Sequence, residues 1–317
     1  MRILFWGSPE FALPSLEVVA GHHELVGVVT QPDRPAGRGR QLRECAVKRA
    51  AAGLDVPVLQ PERARGSEFM DAVARLRPEL SIVAAYGQLL LDEVLALPPG
   101  GSINVHASLL PELRGAAPIN WAIIRGYGQS GVTIMRMVRE MDAGPILHQL
   151  SEPIGPATTA GELSDRLSVL GAEALREVLE RLQDGGLEER EQDHERATYA
   201  PKLNRELARL DWTRPADEVA CWMRGCDPWP AAWSELRGAT IQLFAPSLPG
   251  PEEHARRDAS ADAEPGTVLE ADPRQGLLVA AGSGVVRVGQ VKPAGRARMD
   301  AAAWVRGRGA RSGDRFR

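Results

Sequence analysis

The sequence predicts an α/β protein with a mostly parallel sheet in its N-terminal part and a smaller β domain in its C-terminal part. Three observations support this prediction. The chain has 317 residues, which is more than one average domain contains. Its first half alternates apolar, strand-like segments with helical patterns. Its last third consists of short strand-like segments separated by Gly, Pro and Asp turns.

The first predicted strand, residues 2–6, ends at Gly7, and the Ser8-Pro9 pair then favours the start of a helix. Strands separated by helices indicate βαβ units and a parallel sheet whose carboxyl edge collects ligands. Neither GxGxxG at the first turn nor GxxxxGK[ST] anywhere is present, so we predict a Rossmann-like architecture without a dinucleotide site at that turn. The further predictions are strands at 23–30, 80–86, 102–108 and 131–138, and helices at 67–77 and 159–185, the latter ending at Gly185.

A change of composition divides the chain. Residues 187–205 are charged and poor in periodic apolar residues, which predicts a linker between a domain at 1–186 and a domain at 206–317. The short strands after the linker predict a β-barrel or sandwich, and the polar segment 249–265 is interpreted as a loop. Four tryptophans near the start of this domain are interpreted as core residues, with base stacking as the alternative: Trp212, Trp222, Trp229 and Trp233.

The composition is that of an ordinary soluble globular protein, with 44% hydrophobic and 25% charged residues. The net charge of −4 does not indicate a nucleic-acid binder, but it leaves a locally basic face open. Cys45, Cys221 and Cys226 lack the spacing of a zinc site, which predicts reduced thiols and no bound metal. No signal peptide and no apolar run of about 18 residues is present, which predicts a cytoplasmic protein without a membrane segment.

A set of polar residues lies in and after the fourth predicted strand. Asn104 and His106 are two residues apart, so their side chains point to the same face of an extended strand. Asp142 follows in a Gly-bounded turn. An amide can donate to a carbonyl oxygen, an imidazole can stabilise an oxyanion or move a proton, and a carboxylate can orient the imidazole. The alternative is a structural hydrogen-bonding pair followed by an ordinary turn.

The segment 30–40 and its flank are basic. Arg34, Arg38, Arg40 and Arg43 lie within ten residues, with Gly and Pro between them. Gly and Pro disfavour a helix, and guanidinium groups suit phosphates through bidentate contacts. On these residues alone the segment fits a solvated surface loop or a phosphate-binding loop, and the solvated surface loop is the more common case.

The string SLLPELRGAAPI, together with Asn104 and His106 before it and the GVTIM and DAG segments after it, resembles the folate-dependent formyltransferases. These enzymes transfer a formyl group from 10-formyltetrahydrofolate to an amine. The resemblance covers nearly the whole chain. It implies an OB-like C-terminal barrel, a folate co-substrate and no metal cofactor. It also implies that the catalytic residues are Asn104, His106 and Asp142, and that the folate site is lined by Ser108, Leu109, Leu110 and Pro111.

Within that family, three segments resemble the members that formylate methionine on charged initiator tRNA for translation initiation: 30–40, 199–212 and 226–233. The resemblance implies a cytoplasmic monomer that binds initiator methionyl-tRNA with the C-terminal domain and with four basic residues, Arg34, Arg38, Arg40 and Lys202.

Three alternatives are open, and a feature of the chain weighs against each. The basic loop and the Lys202 segment weigh against a formyltransferase for an amino-sugar nucleotide. A stand-alone glycinamide ribonucleotide formyltransferase would lack the C-terminal domain. The presence of Asn104, His106 and Asp142 weighs against a non-catalytic RNA-binding protein.

Overall fold

The computed structural model describes residues 1–36, 41–248, 250 and 263–317, so Arg38 and Arg40 of the basic loop lie outside the described residues. The chain forms two compact units. Unit 1 comprises 1–118, 129–153 and 164–201, and unit 2 comprises 119–128, 154–163 and 202–317. The domain boundaries at 186 and 205 stay a prediction, whereas the segment 164–201, which contains most of the predicted linker, belongs to unit 1.

Unit 1 is built on one large sheet. Its strands are β1 (Arg2–Gly7), β2 (Glu24–Val29), β3 (Arg34–Ala36), β4 (Gln41–Arg43), β5 (Val58–Leu59), β6 (Leu80–Ala84), β7 (Ser102–His106), β8 (Arg114–Gly115), β9 (Gln129–Arg136), β10 (Ile146–Pro153) and β11 (Tyr199–Ala200). Seven of them form a sheet in the order β10-β9-β7-β6-β1-β2-β5. The five strands from β7 to β5 in this order are parallel to one another. At the other edge, β9 is antiparallel to β7, and β10 is antiparallel to β9. The predicted mostly parallel sheet is confirmed.

Two small sheets complete unit 1. Strands β3 and β4 form an antiparallel pair within the basic segment, and β8 pairs with β11 in parallel. The second pair ties residues Tyr199 and Ala200, within the predicted linker, to Arg114 and Gly115. This segment is therefore folded against unit 1, because backbone pairing satisfies groups that a solvated linker would leave to water.

Apolar residues cover both faces of the parallel sheet, as expected where helices pack on each side. Leu4 and Trp6 of β1 pack on one face with Val73, which lies in a helix. Ile3 and Phe5 alternate with them and are also fully buried. The helices that begin in the first 160 residues are α1 (Leu13–His22), α2 (Ala46–Ala51), α3 (Ser67–Leu76), α4 (Asp92–Leu95), α5 (Pro118–Ile124) and α6 (Ala160–Gln183).

Helix α6 is the long helix that the leucine pattern predicts. It ends at Gln183, and Gly185 adopts a left-handed conformation with φ 72°, so the predicted C-terminal stop is confirmed. A β-carbon at Gly171 would lie 2.8 Å from the Val105 side chain, which shows that the helix packs closely on β7. The face of β7 with Val105 is therefore covered, and Asn104 and His106 point to the opposite face.

Unit 2 contains an antiparallel sheet, consistent with the predicted OB-like barrel. Its strands are β12 (Trp233–Leu236), β13 (Ala239–Ser247), β14 (Val268–Asp272), β15 (Gly276–Ala280), β16 (Val285–Pro293) and β17 (Met299–Asp300), and its C-terminal helices are α7 (Ala216–Gly225) and α8 (Ala301–Arg306). The order is β12-β13-β16-β15-β14, with β17 on β16. Helix α7 was not predicted, although Asp217 and Glu218 in its first turn favour a helix start.

The four tryptophans of unit 2 do not share one environment. Trp212 is buried and stacks on Phe316 with ring centroids 5.7 Å apart. Trp222 and Trp233 are half-buried. Trp229 is 59% exposed, so its interpretation as a core residue is wrong, since prolines on both sides hold it in a surface turn.

Candidate active site

Strand β7 ends at His106, which is 5% exposed. Its Nε2 lies 3.2 Å from the Leu113 carbonyl oxygen, and because a carbonyl only accepts, Nε2 donates this hydrogen bond. Its Nδ1 lies 3.7 Å from Oδ2 of Asp142, which is beyond hydrogen-bond distance. Because Nε2 is engaged by Leu113, Nδ1 is the ring nitrogen that is available to exchange a proton, and it faces the Asp142 carboxylate.

Asn104 lies one alternation before His106 in the same strand. It pairs in register with Val83 of β6 and Met135 of β9, so the carbonyl and amide groups of its backbone lie within the sheet. Its side chain is half-buried and makes no hydrogen bond within the part of the chain that the structure describes. The carboxamide is thus available to a bound carbonyl group.

The carboxylate of Asp142 is placed by a tight turn between β9 and β10, as the Gly-bounded pattern predicts. Asp142 has φ 53°, in the left-handed region. Its Oδ2 accepts a hydrogen bond from the Gly115 amide at 2.8 Å. The turn also approaches β9 closely, because a β-carbon at Gly144 would lie 2.1 Å from the Arg136 carbonyl oxygen. The structure therefore brings Asp142 and His106 together across a separation of 36 residues.

The predicted folate-lining segment is tied into the protein by polar contacts. The Thr133 hydroxyl donates to the Ser108 carbonyl at 2.7 Å and accepts from the Leu110 amide at 3.1 Å. The Ser108 hydroxyl donates to the Glu112 carbonyl at 2.6 Å. Ser108 and Leu110 are buried, whereas Leu109 and Pro111 are half-buried. The latter two side chains are the ones that retain surface for a ligand.

Two buried polar residues near Asp142 were not singled out from the sequence. Arg114 lies in β8, and Gln192 lies in the segment interpreted as a linker. Arg114 belongs to the family-like string, which is a signal that was present but unused. Gln192 carries no such signal, because a glutamine between charged residues is typical of a solvated segment.

The basic residues proposed for tRNA are exposed where the structure describes them. Arg34 lies in β3, opposite Arg43 of β4, and its side chain is exposed. Beside it, Lys48 donates to the Asp33 carboxylate at 2.5 Å and lowers the pKa of that carboxyl group. Lys202 is exposed at the start of the last segment of unit 2.

The described residues contain neither a membrane-spanning helix nor a cluster of metal-binding side chains. No described helix is both long enough and apolar enough to cross a bilayer. No group of three or more His, Cys, Asp or Glu side chains within 1–36, 41–248, 250 and 263–317 is arranged to hold a metal ion.

The two halves of the chain match a known class of proteins. Residues 1–179 match the model of the formyl transferase family, and residues 202–309 match that of the formyl transferase C-terminal domain. The chain belongs to the formyl transferase family. It is 44% identical to a methionyl-tRNA formyltransferase of Desulfotalea psychrophila, over 97% of this chain and 93% of that protein. It is 41% identical to the methionyl-tRNA formyltransferase of Bacillus subtilis, over 99% and 96% of the two chains.

Solved structures show the same fold at lower identity. HypX from Aquifex aeolicus in complex with tetrahydrofolic acid superposes with a TM-score of 0.62 at 19% identity, covering 95% of this chain and 46% of HypX. An N-formyltransferase from Helicobacter canadensis, in complex with folinic acid and dTDP-3-aminofucose, superposes with a TM-score of 0.64 at 14% identity, covering 91% and 98%.

Proposed function

We propose that this protein transfers the formyl group of 10-formyltetrahydrofolate to the α-amino group of methionine on initiator methionyl-tRNA. The observation that supports the reaction is the meeting of His106 and Asp142 beside the unengaged carboxamide of Asn104. The choice of substrate rests on similarity over nearly the full length to methionyl-tRNA formyltransferases. The product, formylmethionyl-tRNA, serves translation initiation, and we propose that the enzyme acts as a cytoplasmic monomer.

In the proposed mechanism, the methionine amine attacks the formyl carbon, forming a C–N bond and a tetrahedral oxyanion. Asn104 donates a hydrogen bond to the formyl oxygen, and a His106 imidazolium places positive charge beside it. Asp142 supports the imidazole and helps pass the proton lost by the amine to N10 of the folate. The bond from N10 to the formyl carbon then breaks, releasing tetrahydrofolate. The folate is held against Ser108, Leu109, Leu110 and Pro111.

Recognition of the tRNA is proposed for the basic residues and for unit 2. Arg34 and Lys202 are exposed cations, and Arg38 and Arg40 follow Arg34 in sequence. Arginine and lysine side chains are the usual protein contacts to phosphates. We expect Arg38→Leu to raise the KM for tRNA while leaving the KM for the folate unchanged.

The test is formyl transfer by the purified protein from 10-formyltetrahydrofolate to methionyl-tRNA. Uncharged tRNA and a dTDP-linked amino sugar are assayed in parallel, since the first lacks the amine and the second is the substrate of the alternative function. We expect the charged tRNA alone to be formylated. Formylation of the amino sugar without formylation of methionyl-tRNA would contradict the proposal.

A further inference from the structure

A single buried carboxamide joins the two sides of the Asp142 turn. The Gln192 Nε2 donates to the carbonyl oxygen of Asp142 at 2.9 Å and to that of Gly144 at 2.7 Å. Its Oε1 accepts from Arg114 twice, from Nε at 3.1 Å and from Nη2 at 2.6 Å. Both amide hydrogens and the amide oxygen are therefore used, which is the full donor capacity of a glutamine side chain.

The chemistry of the partners allows only one orientation of this carboxamide. A guanidinium group only donates and a carbonyl oxygen only accepts, so a flipped amide would oppose donors to donors and acceptors to acceptors. Arg114 is itself held, since it is 4% exposed and its Nη2 donates to Nδ1 of His194 at 3.0 Å. Arg114 thus fixes Gln192, and Gln192 fixes the turn.

The turn needs such support because Asp142 has a positive φ. The left-handed conformation is unfavourable for a residue with a β-carbon, and it persists where surrounding contacts determine it. The conformation aims the carboxylate toward His106, with Oδ2 3.7 Å from Nδ1 and hydrogen-bonded to the Gly115 amide. A shift of the turn by a fraction of an ångström would change both distances.

We propose that Gln192, oriented by Arg114, is a positioning residue that holds Asp142 for proton transfer with His106. The inference rests on the proposed function, since it assigns Asp142 to the reaction. This role of Gln192 differs from a general contribution to folding in two ways. It requires both amide hydrogens of the Gln192 side chain, and it acts on the reaction only through Asp142.

Gln192→Glu is the sharpest variant. It preserves the size of the side chain and an acceptor for Arg114, but it places a carboxylate oxygen against two carbonyl oxygens. We expect kcat for formyl transfer to fall about 10- to 100-fold, because small misplacements of reacting groups have effects of this size, with both KM values within about twofold. Glu191→Ala, an exposed neighbour without a described side-chain contact, is the matched control and should keep the wild-type kcat.

A double-mutant cycle separates positioning from folding. If Gln192 acts through Asp142, adding Gln192→Glu to an Asp142→Ala variant should lower kcat by less than about twofold, because neighbouring residues in one network are not additive. If Gln192→Glu lowered kcat as much in the Asp142→Ala background as in the wild type, the proposal would be overturned. A wild-type kcat in the Gln192→Glu single variant would overturn it as well.

Exchange of the Gly115 amide hydrogen provides a readout that does not depend on activity. This hydrogen is bonded to Oδ2 of Asp142, so its exchange rate, measured by NMR, reports whether the carboxylate stays in place. We expect faster exchange in Gln192→Glu and Gln192→Ala, and unchanged exchange in Glu191→Ala. Unchanged exchange in the Gln192 variants would refute the inference, whereas an inactive wild-type protein would refute only the proposed function.

Discussion

At the scale of single residues, the proposed mechanism gives a different task to each of three side chains: the Asn104 amide, the His106 imidazole and the Asp142 carboxylate. We expect Asn104→Ala to lower kcat at least about 10²- to 10³-fold, as removal of one oxyanion donor typically does. We expect Asp142→Ala to lower kcat at least about 10²-fold, because a group that assists proton transfer typically contributes about 10²- to 10⁴-fold. The measurement is steady-state formyl transfer by folded variants. Asp165→Ala removes an exposed carboxylate elsewhere in unit 1 and serves as the control. Near-wild-type turnover of either site variant would remove that residue from the mechanism.

We expect Cys226 to make the stability of the protein sensitive to high pH. Its thiol is fully buried, and burial raises its pKa from 9.0 to about 12. A raised pKa in the folded state contributes stability below the unfolded pKa, and this stability is lost as pH rises from about 9 toward 12. We expect the Tm of Cys226→Ala to fall less steeply between about pH 9 and pH 11 than that of the wild type. Met223→Ala, which removes a fully buried side chain without an ionisable group, should leave the wild-type slope in place.

At the scale of secondary-structure elements, the backbone at Gly115 must approach a neighbouring strand. It has φ 119°, and a β-carbon there would lie 2.8 Å from the Ala200 carbonyl oxygen. We expect Gly115→Ala to lower the free energy of unfolding by about 1–3 kcal/mol and to weaken the β8–β11 pair. Gly128→Ala, where a β-carbon meets nothing within 4 Å, should be neutral. If Gly115→Ala and Gly128→Ala were equally stable in urea denaturation, this account would be contradicted.

An ion pair joins the turn after α7 to the segment before β17. The Arg298 guanidinium donates to both carboxylate oxygens of Asp227 at 2.8 and 2.9 Å, and the Asp227 side chain is 7% exposed. Arg298→Ala would leave this carboxylate buried without its partner. We expect the free energy of unfolding to fall by about 2–3 kcal/mol. This is less than for a fully buried ion pair, because the arginine side chain is 37% exposed. Arg296→Ala, an exposed arginine two residues away, should change the midpoint of thermal unfolding by far less.

The sequence predicts elements where periodicity is strong and local. Strands such as 80–84 and helix α6 follow from apolar runs and a leucine stripe, because each buries one continuous face. Helix α7 was missed because it lies among strand-like segments. The placement of Asn104 and His106 on one face of β7 follows from their spacing of two residues within one strand. The positioning network of Gln192 could not be predicted, since its partners lie between 48 and 78 residues away in sequence.

At the scale of the whole molecule, a protein of net charge −4 is proposed to bind a polyanion. Local cations must then supply the attraction, and each phosphate contact releases counterions. We expect the logarithm of kcat/KM for tRNA to fall linearly with the logarithm of salt concentration, and Arg38→Leu to reduce that slope by about 0.7–0.9. Arg75→Leu removes the same charge from an exposed position in α3 and should preserve the slope. The same slope in both variants would exclude Arg38 from phosphate contact.

Unit 2 is assembled from pieces that the ribosome makes at very different times. The Asn120 side chain donates to the Gly225 carbonyl, 105 residues later, and Arg224 donates to the Thr158 carbonyl, 66 residues earlier. Segments 119–128 and 154–163 therefore emerge long before the chain that completes their unit. Until that chain arrives, Ile123, which is fully buried in the finished protein, lacks the later part of its own unit. Unit 2 therefore depends on contacts between segments that are far apart in sequence, and such contacts are expected to form slowly.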